Sequence, residues 1–135
     1  MQKQSLKLLV IDDEEGIVEW VQKIYSRKGF KTFGATDGVS AVDIFKKERP
    51  EITLIDIHMP YSAIDGVETL ERIKQIEKNA LCIMVTRITD RDKVEASKRL
   101  GALHYITKPL EVEDLDRVVD EAKDLALKAK SKSRK

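Results

Sequence analysis

Acidic side chains at the ends of short apolar segments are the residues of this chain best placed to do chemistry. Residues 52–60 read Ile-Thr-Leu-Ile-Asp-Ile-His-Met-Pro, so one carboxylate, Asp56, closes an apolar segment that stops at Pro60. Such a segment, bounded by turn formers, reads as a fully buried strand. A lone buried carboxylate is costly, so Asp56 is expected at the mouth of a sheet. Residues 6–11 end the same way in Asp12 and Asp13, residues 81–85 end at Thr86, and residues 103–106 run into Thr107, Lys108 and Pro109. Three carboxylates brought together raise one another's proton affinity unless a cation neutralises them. Magnesium suits them, being a hard ion that takes a few carboxylates, keeps waters and accepts a phosphoryl oxygen; manganese is a possible substitute.

These residues need elements to hold them. Ile17, Val18, Val21, Ile24 and Tyr25 recur at helical spacing, with Gly29 as the C-terminal cap and Trp20 at the edge of the stripe as a packing residue. Residues 31–34 read as a short strand, and Thr36 or Asp37 can cap a helix that buries Ala41, Val42 and Phe45. After an irregular loop over residues 59–64 comes Asp65-Gly66 and a helix carrying Val67, Leu70, Ile73 and Ile76. The next helix, over about residues 90–100, has only Val94, Ala96 and Leu100 as apolar anchors, with Thr89 and Asp92 as parts of an N-terminal cap. It should be the least firmly held helix. Leu115, Val118, Val119, Ala122, Leu125, Ala126 and Ala129 form the longest stripe, on the last helix. Five strands alternating with five helices imply a doubly wound α/β fold with a parallel sheet and right-handed crossovers. Ligands of such sheets bind at the carboxyl ends of the strands.

With 135 residues, 41% apolar but only 5% aromatic and 36% charged, the chain has the size and composition of one soluble α/β domain. Cys82 is the single cysteine, which excludes an internal disulfide and, within an apolar segment, suits a small buried side chain. Neither a signal peptide nor a span of roughly 18 apolar residues is present, so a cytoplasmic protein is expected. The net charge of +1 hides an asymmetry: Lys128, Lys130, Lys132, Arg134 and Lys135 leave 20 basic against 24 acidic residues in the rest of the chain. The expected organisation is one domain over residues 1–127 and a basic, disordered tail over 128–135. A short basic tail on an acidic body argues against nucleic acid as a partner.

The paired acids Asp12 and Asp13, the Asp56-Ile57-His58-Met59-Pro60 segment, Asp65-Gly66, Thr86, Gly101-Ala102, Tyr105 and Lys108-Pro109 together resemble the receiver domain of two-component response regulators. The resemblance covers about residues 6–127. It implies a flavodoxin-like fold with strand order 2-1-3-4-5 and a signalling domain rather than an enzyme. Asp56 would be the phosphoacceptor. Asp13, Asp56 and the backbone carbonyl of His58 would hold magnesium directly, with Asp12 in an outer position. Lys108 would bind the phosphoryl oxygens, the Thr86 hydroxyl would donate to another, and Tyr105 would swing inward as Thr86 moves. The implied donor is a histidine kinase or histidine phosphotransfer protein, and the implied output is a protein partner on the surface of the fourth and fifth helices and the fifth strand.

Two departures mark this chain. Five residues separate Pro60 from Gly66, so the loop beside Asp56 is longer than is usual for the family, and the residue after Thr86 is Arg87 in place of a small one. Arg87 is therefore a candidate for controlling access to Asp56. Two other classes compete. A phosphatase with an aspartyl nucleophile would want a second acid two residues on, where His58 stands; a binding module that switches without phosphate leaves the acids and Lys108 without a purpose.

Overall fold

Every residue of the strand Ile52–Asp56 is buried, and this strand (β3) is the centre of the sheet. The computed structural model describes residues 5–87 and 90–133. Around β3 lie β1 (Lys7–Ile11), β2 (Lys31–Ala35), β4 (Leu81–Thr86) and β5 (His104–Thr107), in the order β2-β1-β3-β4-β5. All four pairings are parallel. The connecting helices are α1 (Glu15–Arg27), α2 (Gly38–Glu48), α3 (Gly66–Ile76) and α4 (Arg91–Arg99), and α5 (Val112–Ser133) follows β5. The doubly wound, flavodoxin-like arrangement and its strand order are those expected.

Side chains alternate across the sheet and so divide the core in two. Leu8, Val10, Ile52 and Leu54 pack with Val18, Val21 and Tyr25 of α1 and with Leu115, Val118 and Val119 of α5. On the other face, Leu9, Ile11 and Ile55 meet Ala41 and Phe45 of α2 and Leu70 and Ile73 of α3. Each fully buried Leu or Ile contributes about 1.5–3 kcal/mol, which makes the sheet the stable part of the molecule. By contrast α4 buries Ser97 alone among its residues, with Val94 and Leu100 only partly covered.

Gly29, at φ +96°, ends α1 as a C-terminal cap in a region that other residues enter only with strain. Asp37 and Asp65 stand at the N-caps of α2 and α3, each accepting a backbone N–H, from Ser40 and Glu68. The expected cap at Thr89 lies outside the described residues.

One expectation needs correction. Helix α5 runs on to Ser133 instead of giving way to a disordered tail after residue 127. Alanines, lysines and leucines over residues 122–130 are strong helix formers, and Lys130 reaches Glu51 at the foot of β3, 2.7 Å away. Positions 134 and 135 of that tail lie outside the described residues. Trp20, at the edge of the α1 stripe, is 38% exposed and lines a groove with Ile17, Arg87, Lys108 and Leu110.

Candidate functional site

Strand register brings the candidate residues together. Ile11 pairs with Ile55 and Asp56 with Val85, so the ends of β1, β3 and β4 lie side by side, and Thr86 pairs with Thr107 at the end of β5. The backbone N–H of Lys108 donates to the Thr86 carbonyl at 2.9 Å, which ties the loop after β5 to β4.

Asp12 and Asp56 are almost fully buried, while Asp13 is partly open. Carboxylate oxygens of all three lie within 4.8 Å of one another. One oxygen of Asp12 accepts the N–H of Glu14 at 2.9 Å, an Asx-type turn that fixes its direction. Asp56 is held from both sides: Oδ1 accepts the N–H of His58 at 3.2 Å and Oδ2 accepts from Lys108 Nζ at 3.0 Å. Lys108 Nζ also lies 3.1 Å from Asp12 Oδ2, so one ammonium bridges two buried acids.

Burial, and then the charge of Asp12, push the Asp56 carboxyl up to about 6, although Lys108 and the His58 N–H hold it down. Burial alone would lower the proton affinity of Lys108, but hydrogen bonds and charge from Asp56 and Asp12 outweigh it and raise its pKa. Asp56 is thus a carboxylate at neutral pH, kept ionised against its surroundings. The donor set is three hard carboxylate oxygens with one cation for three negative charges. A further divalent cation of the magnesium kind fits that deficit.

The close fit of the β3–α3 connection depends on Gly66. A Cβ there would stand 2.2 Å from the Asp56 carbonyl oxygen and 2.6 Å from the Ile57 Cα. The longer loop between them is anchored by Ser62, whose hydroxyl accepts the N–H of Gly38 at 2.9 Å, while Tyr61 is 94% exposed.

Not every expected residue points at Asp56. The Thr86 hydroxyl is buried and donates to the carbonyl of Arg87 at 3.0 Å. Tyr105 is half-buried, and its hydroxyl accepts from Ser97 of α4 at 3.3 Å. Arg87 is exposed, and among the described residues its guanidinium makes no ion pair. His58 contributes its backbone N–H, and His104 pairs with Glu121 of α5. Sequence reasoning missed Asp90, whose carboxylate turns back onto the N–H of Arg87. An aspartate ahead of a helix carries no mark of that turn. It also missed Ser62, whose hydroxyl in a longer loop was the available clue.

A parallel α/β sheet in the order β2-β1-β3-β4-β5, with an acidic cluster and a lysine at its carboxyl edge, defines a flavodoxin-like domain. The model of the response regulator receiver domain matches residues 8–120, and the chain belongs to that family. It is 37% identical over 109 residues to sporulation initiation phosphotransferase F of Bacillus subtilis, covering 81% of this chain and 86% of that protein. Regulatory protein AtoC of Escherichia coli is 28% identical over 119 residues, which span 88% of this chain but 25% of that protein. Among solved structures, the CheY-like receiver domain protein from Methanospirillum hungatei superposes with a TM-score of 0.86 at 25% identity, over 93% of this chain and 99% of the other. Receiver domains are phosphoacceptor signalling modules of two-component systems, a signalling class rather than a conventional enzyme.

Proposed function

We propose that this receiver accepts a phosphoryl group on Asp56, with magnesium, from a histidine kinase or histidine phosphotransfer protein. The observation that carries this reading is the position of Asp56: buried at the end of the central strand, bridged to Asp12 by Lys108, with Asp13 alongside. A carboxylate oxygen of Asp56 attacks phosphorus, the bond from phosphorus to the donor atom breaks, and the product is a mixed anhydride. The ammonium of Lys108 exchanges a carboxylate oxygen for a phosphoryl oxygen.

Asp13, Asp56 and the His58 carbonyl would hold the magnesium, with Asp12 behind them. Bound there, the ion offsets charge on the nucleophile and the phosphoryl group. Thr86 would turn its hydroxyl from the Arg87 carbonyl to the phosphoryl group, and Tyr105 would follow it. The thin anchoring of α4 and the Tyr105–Ser97 hydrogen bond favour the surface of α4, β5 and α5 as the part that changes and meets a protein partner. The similarity to a sporulation phosphotransferase favours a place in a phosphoryl relay. Residues 1–127 would carry this function, with the basic end a helical extension. No helix among the described residues is long and apolar enough to cross a membrane.

The test is phosphoryl uptake from acetyl phosphate by the wild type and by Asp56→Asn, with magnesium and with a chelator. Uptake should require both Asp56 and the ion. Labelled phosphoryl on the Asp56→Asn protein would defeat the assignment.

A further inference from the structure

Three aspartates occupy the same place ahead of three helices, and one of them behaves differently. Asp37 and Asp65 each accept an N–H from the first turn of the helix that follows, at 2.8 and 2.9 Å. That is the ordinary work of an N-cap carboxylate. Asp90, ahead of α4, makes no such bond. Its Oδ2 faces backward, accepts the N–H of Arg87 at 3.0 Å and lies 3.5 Å from the Thr86 hydroxyl oxygen. The ring is closed by the N–H of Asp90, which donates to the Arg87 carbonyl at 3.1 Å, the same carbonyl that takes the Thr86 hydroxyl proton.

From this we infer that Asp90 is a positioning residue that keeps the Thr86 hydroxyl and the Arg87 N–H away from Asp56 until the phosphoryl group arrives. The inference rests on the phosphoacceptor reading of Asp56. Thr86 has one hydroxyl proton, and it serves either the Arg87 carbonyl or the phosphoryl oxygen. While it serves that carbonyl, α4 begins without a side-chain cap and has only Ser97 fully buried to hold it. When the phosphoryl group takes the hydroxyl, the ring of Thr86, Arg87 and Asp90 loses a partner, and the Asp90 carboxylate is released to cap the first turn of α4. One side chain thus links the chemistry at Asp56 to the order of α4, and α4 gains a cap in the phosphorylated state. Lys93, which pairs with Asp65 at the start of α3, lies on the same turn and would move with it.

Two substitutions separate the two halves of this exchange. Asn caps a helix about as well as Asp but accepts the Arg87 N–H without charge, so Asp90→Asn loosens the resting ring and keeps the later cap. Asp90→Ala loses both. In the full chain with magnesium, apparent affinity for beryllofluoride and the rate of loading from acetyl phosphate should rise about threefold to tenfold in Asp90→Asn, the worth of one hydrogen bond. Asp90→Ala should gain less. In a Thr86→Ala background the gain from Asp90→Asn should fall to half or less, which a general loosening of α4 would not produce. Equal or weaker binding in Asp90→Asn than in wild type, a larger gain in Asp90→Ala, or an undiminished gain without the hydroxyl would each overturn the inference while wild type still loads on Asp56. Failure of wild type to load, or loading on Asp56→Asn, would instead strike the phosphoacceptor reading.

Discussion

Replacing the proposed phosphoacceptor should make the metal-free protein more stable. Asp56 is 1% exposed and its carboxyl is raised from 3.8 to about 6, by burial first and by Asp12 second. The folded state therefore binds the Asp56 proton more tightly than the unfolded chain does. Stability falls as pH rises from about 4 to about 6, and the penalty is complete above that. At about 1.4 kcal/mol per pH unit, the gap between 3.8 and about 6 sets an upper limit of about 3 kcal/mol at pH 7. Asp13 is partly open and Lys108 half-buried, so solvent reduces that limit, and about 1–2 kcal/mol is expected. Asn mimics the neutral acid in shape and still accepts from Lys108, which also keeps Asp12 at 3.1 Å.

Urea melts of wild type and Asp56→Asn in chelator should thus show the variant more stable at pH 7 by about 1–2 kcal/mol, with a melting temperature higher by about 3–8 °C. The two should converge at about pH 4 and below, where Asp56 is protonated in the unfolded chain as well as in the folded one. Taking the difference between the proteins cancels the other carboxylates. Magnesium should narrow the gap at pH 7 by stabilising the wild type, since a ligand that binds only the folded state adds to stability. A variant less stable than wild type at pH 7, or a gap that does not shrink on acidification, would refute the account of Asp56 as an acid ionised at a cost.

Gly66→Ala should lower stability by about 2–3 kcal/mol, because its Cβ overlaps the backbone of β3 and that strand cannot move away cheaply; an unshifted urea midpoint would contradict the close packing. Loading Asp56 should change hydrogen-exchange protection chiefly over residues 86–108, where α4 is thinly anchored, and equal changes across α1 and α2 would place the switch elsewhere. Arg87→Ala should speed both loading from acetyl phosphate and spontaneous dephosphorylation if the guanidinium screens Asp56. If both rates stay within about twofold, equal to roughly 0.4 kcal/mol of barrier, Arg87 has no part in access.

The sheet and the acidic cluster were legible because both rest on strong local patterns. A segment such as residues 52–56 is apolar on both faces, which fits only the middle of a covered sheet, and its terminal acid then has one place to go. The same logic put Asp12, Asp13, Thr86 and Lys108 at one edge. What the pattern did not carry were choices between two satisfactory partners. Asp90 could cap α4, as Asp37 and Asp65 cap α2 and α3, and its turn toward Arg87 depends on where the end of β4 lies in space. The Thr86 hydroxyl had a carbonyl nearby as well as the site. The pairing of Lys130 with Glu51 joins residues far apart in sequence, and the exposure of Trp20 goes with the groove beside Lys108.

The choices made by Thr86, Asp90 and Tyr105 cluster where the fold is weakest, as the proposed switch requires. Strand β3 is fixed by neighbours on both edges and by apolar layers on both faces, so Asp56 and Lys108 can be held at 3.0 Å against the cost of burial. Groups that must exchange partners cannot be fixed so firmly. Thr86, Asp90 and Tyr105 each make hydrogen bonds of ordinary or marginal length, between 3.0 and 3.5 Å, to groups at the edge of α4. Each such bond has a net worth of about 1 kcal/mol. New contacts to a phosphoryl group would be charge-assisted and stronger, so on the proposed mechanism a single phosphoryl group would be enough to break two or three of the weak bonds and too little to disturb the sheet. Phosphorylation should accordingly move the beginning of α4 and the ring of Tyr105 while leaving the register of β3 with β1 and β4 unchanged.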